Sequence, residues 1–262
     1  NSTECFDLAQ GAWLEAEPMR NQRYMAMSAH LRGRLYVVGG HGSSRPNVTG
    51  HEESVAAPRR PPPGSGEWLD TGPMWHNIGP PTLKSVEAYK ASSDRWRPVQ
   101  HMRGDRVLAC CVVAGQQLYV IGGFSRKYGV LQSAERLDPH AGQWKELPPM
   151  VHKRCAAVAA ATPDGQICVC GGNNSAKQTG EMRAVERFDP RTGTWDCLGP
   201  TAILRNFASS AVAAGYLYVW GGKRGREPLH NVERFDLSTG HWEVLPPMHS
   251  ARNGSCGVAF DA

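Results

Sequence analysis

Four apolar runs in this chain each end in a pair of glycines: Leu35 to Val38 before Gly39-Gly40, Leu118 to Ile121 before Gly122-Gly123, Ile167 to Cys170 before Gly171-Gly172, and Leu217 to Trp220 before Gly221-Gly222. After a polar stretch comes a Glu with a Trp nine positions on, in five pairs: Glu4/Trp13, Glu87/Trp96, Glu135/Trp144, Glu186/Trp195 and Glu233/Trp242. Six positions past the Trp stands Met19, Met102, Met150 or Met248, with Thr201 in the remaining unit. Four further on there is an arginine in all five: Arg23, Arg106, Arg154, Arg205 and Arg252. A spacing kept through five units means one supersecondary unit used repeatedly, each burying its faces against the next.

Each unit reads as four strands: a small-residue run after the Arg, the run ending in Gly-Gly, the run around Glu, and the run at Trp. Small side chains such as Cys155 to Ala161 and Phe207 to Ala213 suit an innermost strand, where repeated sheets converge on an axis and space is least. Radial repetition protects strand edges, so the expected fold is all-β, a β-propeller of four-stranded antiparallel blades. The 29 Gly and 19 Pro among 262 residues fit many short strands joined by turns. No apolar run approaches the roughly 18 residues that cross a bilayer, so no membrane partner is expected. A net charge of +5 is mild and does not by itself imply nucleic acid.

The Gly-Gly pairs, Glu-Arg-Phe-Asp at Glu186 to Asp189 and Glu233 to Asp236, and the Trp with its following Pro-Met resemble the Kelch repeat. The resemblance spans nearly the whole chain, read as a single propeller domain over residues 1–262. It implies five or six blades, one or more of them incomplete, with the C-terminal strand (Asn253 to Phe260) joining the N-terminal blade to close the ring. Residues 41–82 form a Pro/Gly-rich insertion or a degenerate blade: Trp68 to Met74 repeats the Trp-plus-six spacing, and Ser54-Val-Ala-Ala echoes Ser85-Val-Glu-Ala. The eight cysteines show no zinc spacing and no secreted framework, so they read as buried reduced thiols of a cytoplasmic or nuclear protein.

Loops joining second to third strands, and fourth strands to the next blade, share one rim of a propeller. The five arginines are expected to encircle that mouth, although such regularity also suits turn geometry or inter-blade pairing. The loops add Arg126, Lys127, Lys177, Lys223, Arg224 and Arg226, with Phe124, Tyr128, Asn173 and Asn174, against only Glu181 and Glu227. A basic, partly aromatic rim suits acidic peptides, whose carboxylates a guanidinium holds bidentately. The resemblance extends to substrate adaptors of the BTB-Kelch family, whose partner-binding positions carry over to Arg23, Tyr24, Arg106, Arg126, Arg154, Asn174, Arg205, Asn206, Arg224, Arg252 and Asn253. It implies a recognition domain of a cullin-RING ubiquitin ligase adaptor, with an upstream BTB region recruiting the cullin. The alternative is a cytoskeletal, actin-associated scaffold. The histidines fall at unmatched repeat positions and neither a phosphate loop nor a nucleophile elbow is found, so no enzyme, cofactor or metal is expected.

Overall fold

A computed structural model describes residues 2–43, 81–175 and 180–255. Among the described residues, four complete blades follow one another. Blade I holds Met27–Leu31, Arg34–Val38, Val86–Lys90 and Arg95–Val99. Blade II holds Cys110–Ala114, Gln117–Ile121, Ala134–Asp138 and Gln143–Leu147. Blade III holds Val158–Ala161, Ile167–Cys170, Val185–Asp189 and Thr194–Leu198, and blade IV holds Ser209–Ala213, Tyr216–Trp220, Val232–Asp236 and Trp242–Leu245. All strands pair antiparallel in chain order, and the innermost strands of successive blades lie side by side. Thr3–Asp7 and Ala12–Ala16 form a further outer pair, in which Phe6 faces Trp13 as Phe188 faces Trp195 in blade III.

The core is divided into slabs between blades, because strand alternation sends each side chain to one neighbour or the other. Val38, Val86, Leu118, Leu137 and Trp144 fill the space between blades I and II. Ile121, Met150, Ile167, Val169 and Phe188 fill the next space, and Cys168, Cys170, Val185, Leu217 and Phe235 the one after. Cys110 and Cys111 fall to opposite slabs, as adjacent strand residues must. Each outer Trp fastens its blade to the preceding unit by an indole N–H bond: Trp144 to the Gln100 carbonyl at 2.8 Å, Trp195 to Pro148 at 2.9 Å and Trp242 to Gly199 at 2.7 Å. Trp96 reaches the outer pair in the same way, donating to Thr3 Oγ1 at 3.1 Å.

The glycine pairs are tight joints between blades. Gly122 adopts φ +64°, and a Cβ there would lie 2.4 Å from the carbonyl oxygen of Arg154 in the next blade. The Gly123 amide donates to that same carbonyl at 2.8 Å, so backbone meets backbone with no room for a side chain.

The described ends of residues 41–82 meet. His41–Ser43 pairs with Gln22–Tyr24, His41 bridges Thr82, and the Leu83 amide donates to the Gly40 carbonyl at 2.8 Å. Arg34–Val38 and Val86–Lys90 pair directly, Val37 facing Glu87, so the chain leaves and returns between the second and third strands of blade I. Residues 44–80, on which the blade count turns, and residues 256–262, on which ring closure turns, lie outside the described residues. All seven described cysteines are free; Cys5 and Cys197 are exposed, which corrects the expectation that all are buried. They sit at outward-facing places on strands at the rim of their sheets. Among the described residues no helix is long and apolar enough to cross a membrane.

Candidate partner-binding face

Four of the five recurring arginines are internal rather than at the mouth. Arg106, Arg154 and Arg205 are each 1% exposed, and the Arg23 side chain is equally hidden. Their guanidinium groups answer to the blade itself. Arg106 Nη1 donates to the carbonyls of Gly122 (2.8 Å) and Ser133 (3.1 Å), while Nη2 lies 2.6 Å from Glu135 Oε1. Arg23 repeats this with Gly39, Ser85 and Glu87, Arg154 with Gly171, Ala184 and Glu186, and Arg205 with Gly221, Asn231 and Glu233.

The glutamate completes the clamp by accepting amides of the loop that enters the blade. Glu135 takes Arg103 N at 2.7 Å and Gly104 N at 3.1 Å; Glu87 takes Arg20 N and Asn21 N; Glu186 takes Val151 N and His152 N; Glu233 takes Ala202 N. A buried cation needs a carboxylate and further acceptors, and each unit supplies them to the two Nη groups, while the buried Nε of Arg23, Arg106, Arg154 and Arg205 has no partner. The expectation that Arg23, Arg106, Arg154 and Arg205 contact a partner is therefore corrected: their side chains are buried and their Nη groups are spent on the scaffold. Asn206 is corrected too, being 4% exposed with its main chain paired to Lys223 in both directions.

Tyr24, Arg126, Asn174, Arg224, Arg252 and Asn253 do reach the surface. Two hairpins stand up on this face. In one, Phe124–Ser125 pairs with Gly129–Val130 and carries Arg126, Lys127 and Tyr128 at its tip. In the other, Lys223–Arg224 pairs with Glu227–Pro228 around Gly225 and Arg226. Tyr128 is 65% exposed and Lys127 Nζ lies 5.0 Å from its ring centre. Phe124 and Asn173, by contrast, are buried, and Lys177 lies outside the described residues.

The acidic groups nearby are engaged with the protein. Asp105 accepts Ser125 Oγ at 3.1 Å and also Thr82 Oγ1, tying the loop entering blade II to both neighbouring second-to-third connections. Glu181 accepts the Gly225 amide, and Glu227 lies 3.7 Å from Arg224 in a solvated pair worth less than about 1 kcal/mol.

Comparison with known proteins agrees with this architecture. The KLHDC2/KLHL20/DRC7 Kelch-repeats domain matches residues 108–260, more than half of the chain. The chain belongs to the Kelch-repeat family. Kelch-like protein 23 of Homo sapiens is 25% identical over 203 residues, covering 71% of this chain and 35% of that protein. Kelch-like protein 25 of Homo sapiens is 26% identical over 219 residues, covering 74% and 35%. Kelch-like protein 35 of Mus musculus is 30% identical over 149 residues, covering 53% and 23%. The chain thus spans about a third or less of these relatives. The solved structure titled "Structure of YjhT" superposes with a TM-score of 0.72 at 14% identity, covering 95% of this chain and 78% of that one, a likeness of fold.

In this Kelch domain the face can do what a protein-interaction surface does: offer cations and aromatic rings on rigid supports. Among the described residues no group of three or more His, Cys, Asp or Glu is arranged to hold a metal ion. Sequence reasoning missed Asp105 and Ser125, which fix the first hairpin, and it missed the unusual backbone just past each recurring Arg. Only Gly254, at that place in the last unit, hints at it from sequence.

Proposed function

We propose that this Kelch domain is the recognition module of a cullin-RING ubiquitin ligase adaptor and that the hairpin rim captures an acidic segment of the protein to be modified. The observation that carries the reading is the charge of the rim: Arg126, Lys127, Arg224 and Arg226 stand on two hairpin tips, with Glu227 beside Arg224, while Asp105 and Glu181 accept hydroxyl and backbone donors. Tyr24, Asn174, Arg252 and Asn253 extend the same face with hydrogen-bonding groups. Rim charges steer an acidic partner and weaken with salt, over a screening length of about 8 Å at physiological ionic strength.

Binding is this domain's whole contribution. A BTB region elsewhere in the full protein would recruit the cullin, the attached ligase would transfer ubiquitin, and the setting would be the cytoplasm or nucleus. No nucleic acid, membrane or cofactor enters the scheme. The test is immunoprecipitation of the full-length protein, wild type against Arg126→Glu/Arg224→Glu. Cullin should co-precipitate with both, while the captured protein and its ubiquitylation should appear with the wild type alone. Co-sedimentation with actin filaments without cullin would instead point to the scaffolding role.

A further inference from the structure

Blade I departs from the other units at one place. In those units an aspartate ends the strand before the outermost one and accepts amides of the turn that follows: Asp7 those of Ala9 and Gln10, Asp138 that of His140, Asp189 that of Arg191 and Asp236 that of Ser238. The same position in blade I is Lys90, and its turn closes without that side chain. The Asp94 amide donates to the Ala91 carbonyl at 3.1 Å, and the Asp94 carboxylate accepts Tyr89 Oη–H at 2.8 Å and the Glu17 amide at 3.0 Å.

Lys90 has cations on both sides. It faces Arg95 across the ladder, and the pairing of Leu35 with Tyr89 sets Arg34 beside it. Arg97, two residues on from Arg95, points to the same face of the sheet. The corresponding row of blade II is Gln117, Asp138 and Gln143. Like charges directly opposite one another destabilise a sheet, so the row in blade I works against the fold. Arg34, Lys90, Arg95 and Arg97 are all exposed, and among the described residues none of them forms an ion pair, whereas Arg187 and Arg234 in blades III and IV pair with Asp196 and Glu243. The acids of the adjoining turns hold protein donors instead: Asp94 and Asp138 as above, and Glu17 the Trp96 amide at 2.9 Å.

We infer that Arg34, Lys90, Arg95 and Arg97 form a second docking surface, which takes an extended acidic segment of a partner protein. It lies at the strand ends opposite the hairpins at 124–130 and 223–228, uses none of their residues and stands whether or not the rim reading does. Charge complementarity sets the partner's chemistry, and the spacing sets its form. Arg34, Lys90 and Arg95 span two strand separations, about 10 Å, and an extended chain covers that in about three residues, so acids at every second or third position meet successive cations. Nucleic acid fits less well. Its binding draws on many phosphate contacts along a backbone and on exposed rings for stacking, and the exposed aromatic residues Phe6, Trp13, Tyr24 and Tyr128 belong to the N-terminal outer pair and the rim.

The experiment measures fluorescence anisotropy of a labelled dodecapeptide of alternating Glu and Ser, titrated with the full chain carrying Arg126→Glu/Arg224→Glu so that the rim does not contribute. Adding Arg34→Gln/Lys90→Asp/Arg95→Gln, which writes the row of blade II into blade I, should weaken binding about tenfold. The unfolding temperature should stay the same or rise, because the repulsion is gone. Adding instead Lys145→Asp/Lys153→Asp, an equal change of net charge at exposed positions elsewhere, should leave binding as it was. Lys90→Asp alone, the residue of the other four units, serves as the second variant should the triple change fail to fold, and should give a smaller drop in the same direction. Undiminished binding by the row variants, or an equal loss in the Lys145/Lys153 variant, would overturn the surface. Tighter binding through the row of a single-stranded DNA dodecamer or of phosphatidylserine vesicles than of the peptide would overturn its assignment to protein.

Discussion

Arg106 Nη2 lies 2.6 Å from Glu135 Oε1, with the two side chains 2% and 3% exposed, and the same contact recurs in every complete blade. Removing one partner strands the other's charge in the interior, whereas the pair together satisfies a loop and two strands. Arg106→Ala or Arg154→Ala should therefore cost about 3–5 kcal/mol in urea unfolding. Glu135→Gln, which keeps one acceptor oxygen for the Arg103 or the Gly104 amide, should cost less than Glu135→Ala. Equal stability of wild type and Arg106→Ala would remove the clamp from the account.

The glycine joints separate crowding from backbone strain. Gly122 and Gly142 share φ +64°, but a Cβ on Gly122 would meet the Arg154 carbonyl at 2.4 Å while nothing lies within 4 Å of one on Gly142. Gly142→Ala should cost about 1–2 kcal/mol, the left-handed penalty alone. Gly122→Ala should cost a further 1–3 kcal/mol or so as the blades are pushed apart. Thermal unfolding of the two variants side by side checks the difference.

Thiol chemistry reports the slabs between blades. Burial pushes Cys110 and Cys111 up to about 12 and Cys155 and Cys168 to about 11, and raises Cys170 well above its ordinary value. Of the seven described cysteines, Cys5 and Cys197 alone should react with iodoacetamide in the folded protein at pH 8, as peptide mass mapping would show. The other five should label only in denaturant.

Acid should loosen the outer turns first. Asp236 accepts Ser238 Oγ and the Ser238 and Thr239 amides, which hold its carboxyl down to about 2 from an ordinary 3.8. Its folded value is depressed, so its contribution is full above the ordinary value and is lost as pH falls from about 4 through about 2. Asp138 is lowered by the same kind of turn, and Asp189 first by the Arg191 guanidinium and then by the Arg191 amide. Asp236→Ala should flatten the stability-against-pH curve in that window and leave its slope near neutrality unchanged.

The spacing of Gly-Gly, Glu, Trp and Arg made the blades legible, because a strand period and a fixed repeat leave few ways to stack sheets. What spacing could not show was where a guanidinium points. Arg106 and Arg154 sit at the start of an inner strand, as expected, yet their side chains turn back beneath the glycine pair. The signal that could have told was the equal recurrence of an acid: five arginines beside five glutamates suit mutual pairing better than a shared outside partner. Tyr24, Arg126 and Arg224 were legible as surface because turns carry them outward. The left-handed backbone at Met25, Leu108 and Phe207 was not legible, since different residue types at one position leave no pattern in composition.

The most direct test of the central claim, that partner capture belongs to the hairpin rim and not to the buried arginines, is amide hydrogen exchange of the domain with and without its captured protein. Added protection should concentrate in the hairpins at 124–130 and 223–228 and in the segment around Tyr24. Protection confined to the outer strands Arg95–Val99, Gln143–Leu147 and Thr194–Leu198, with the hairpins unchanged, would contradict it.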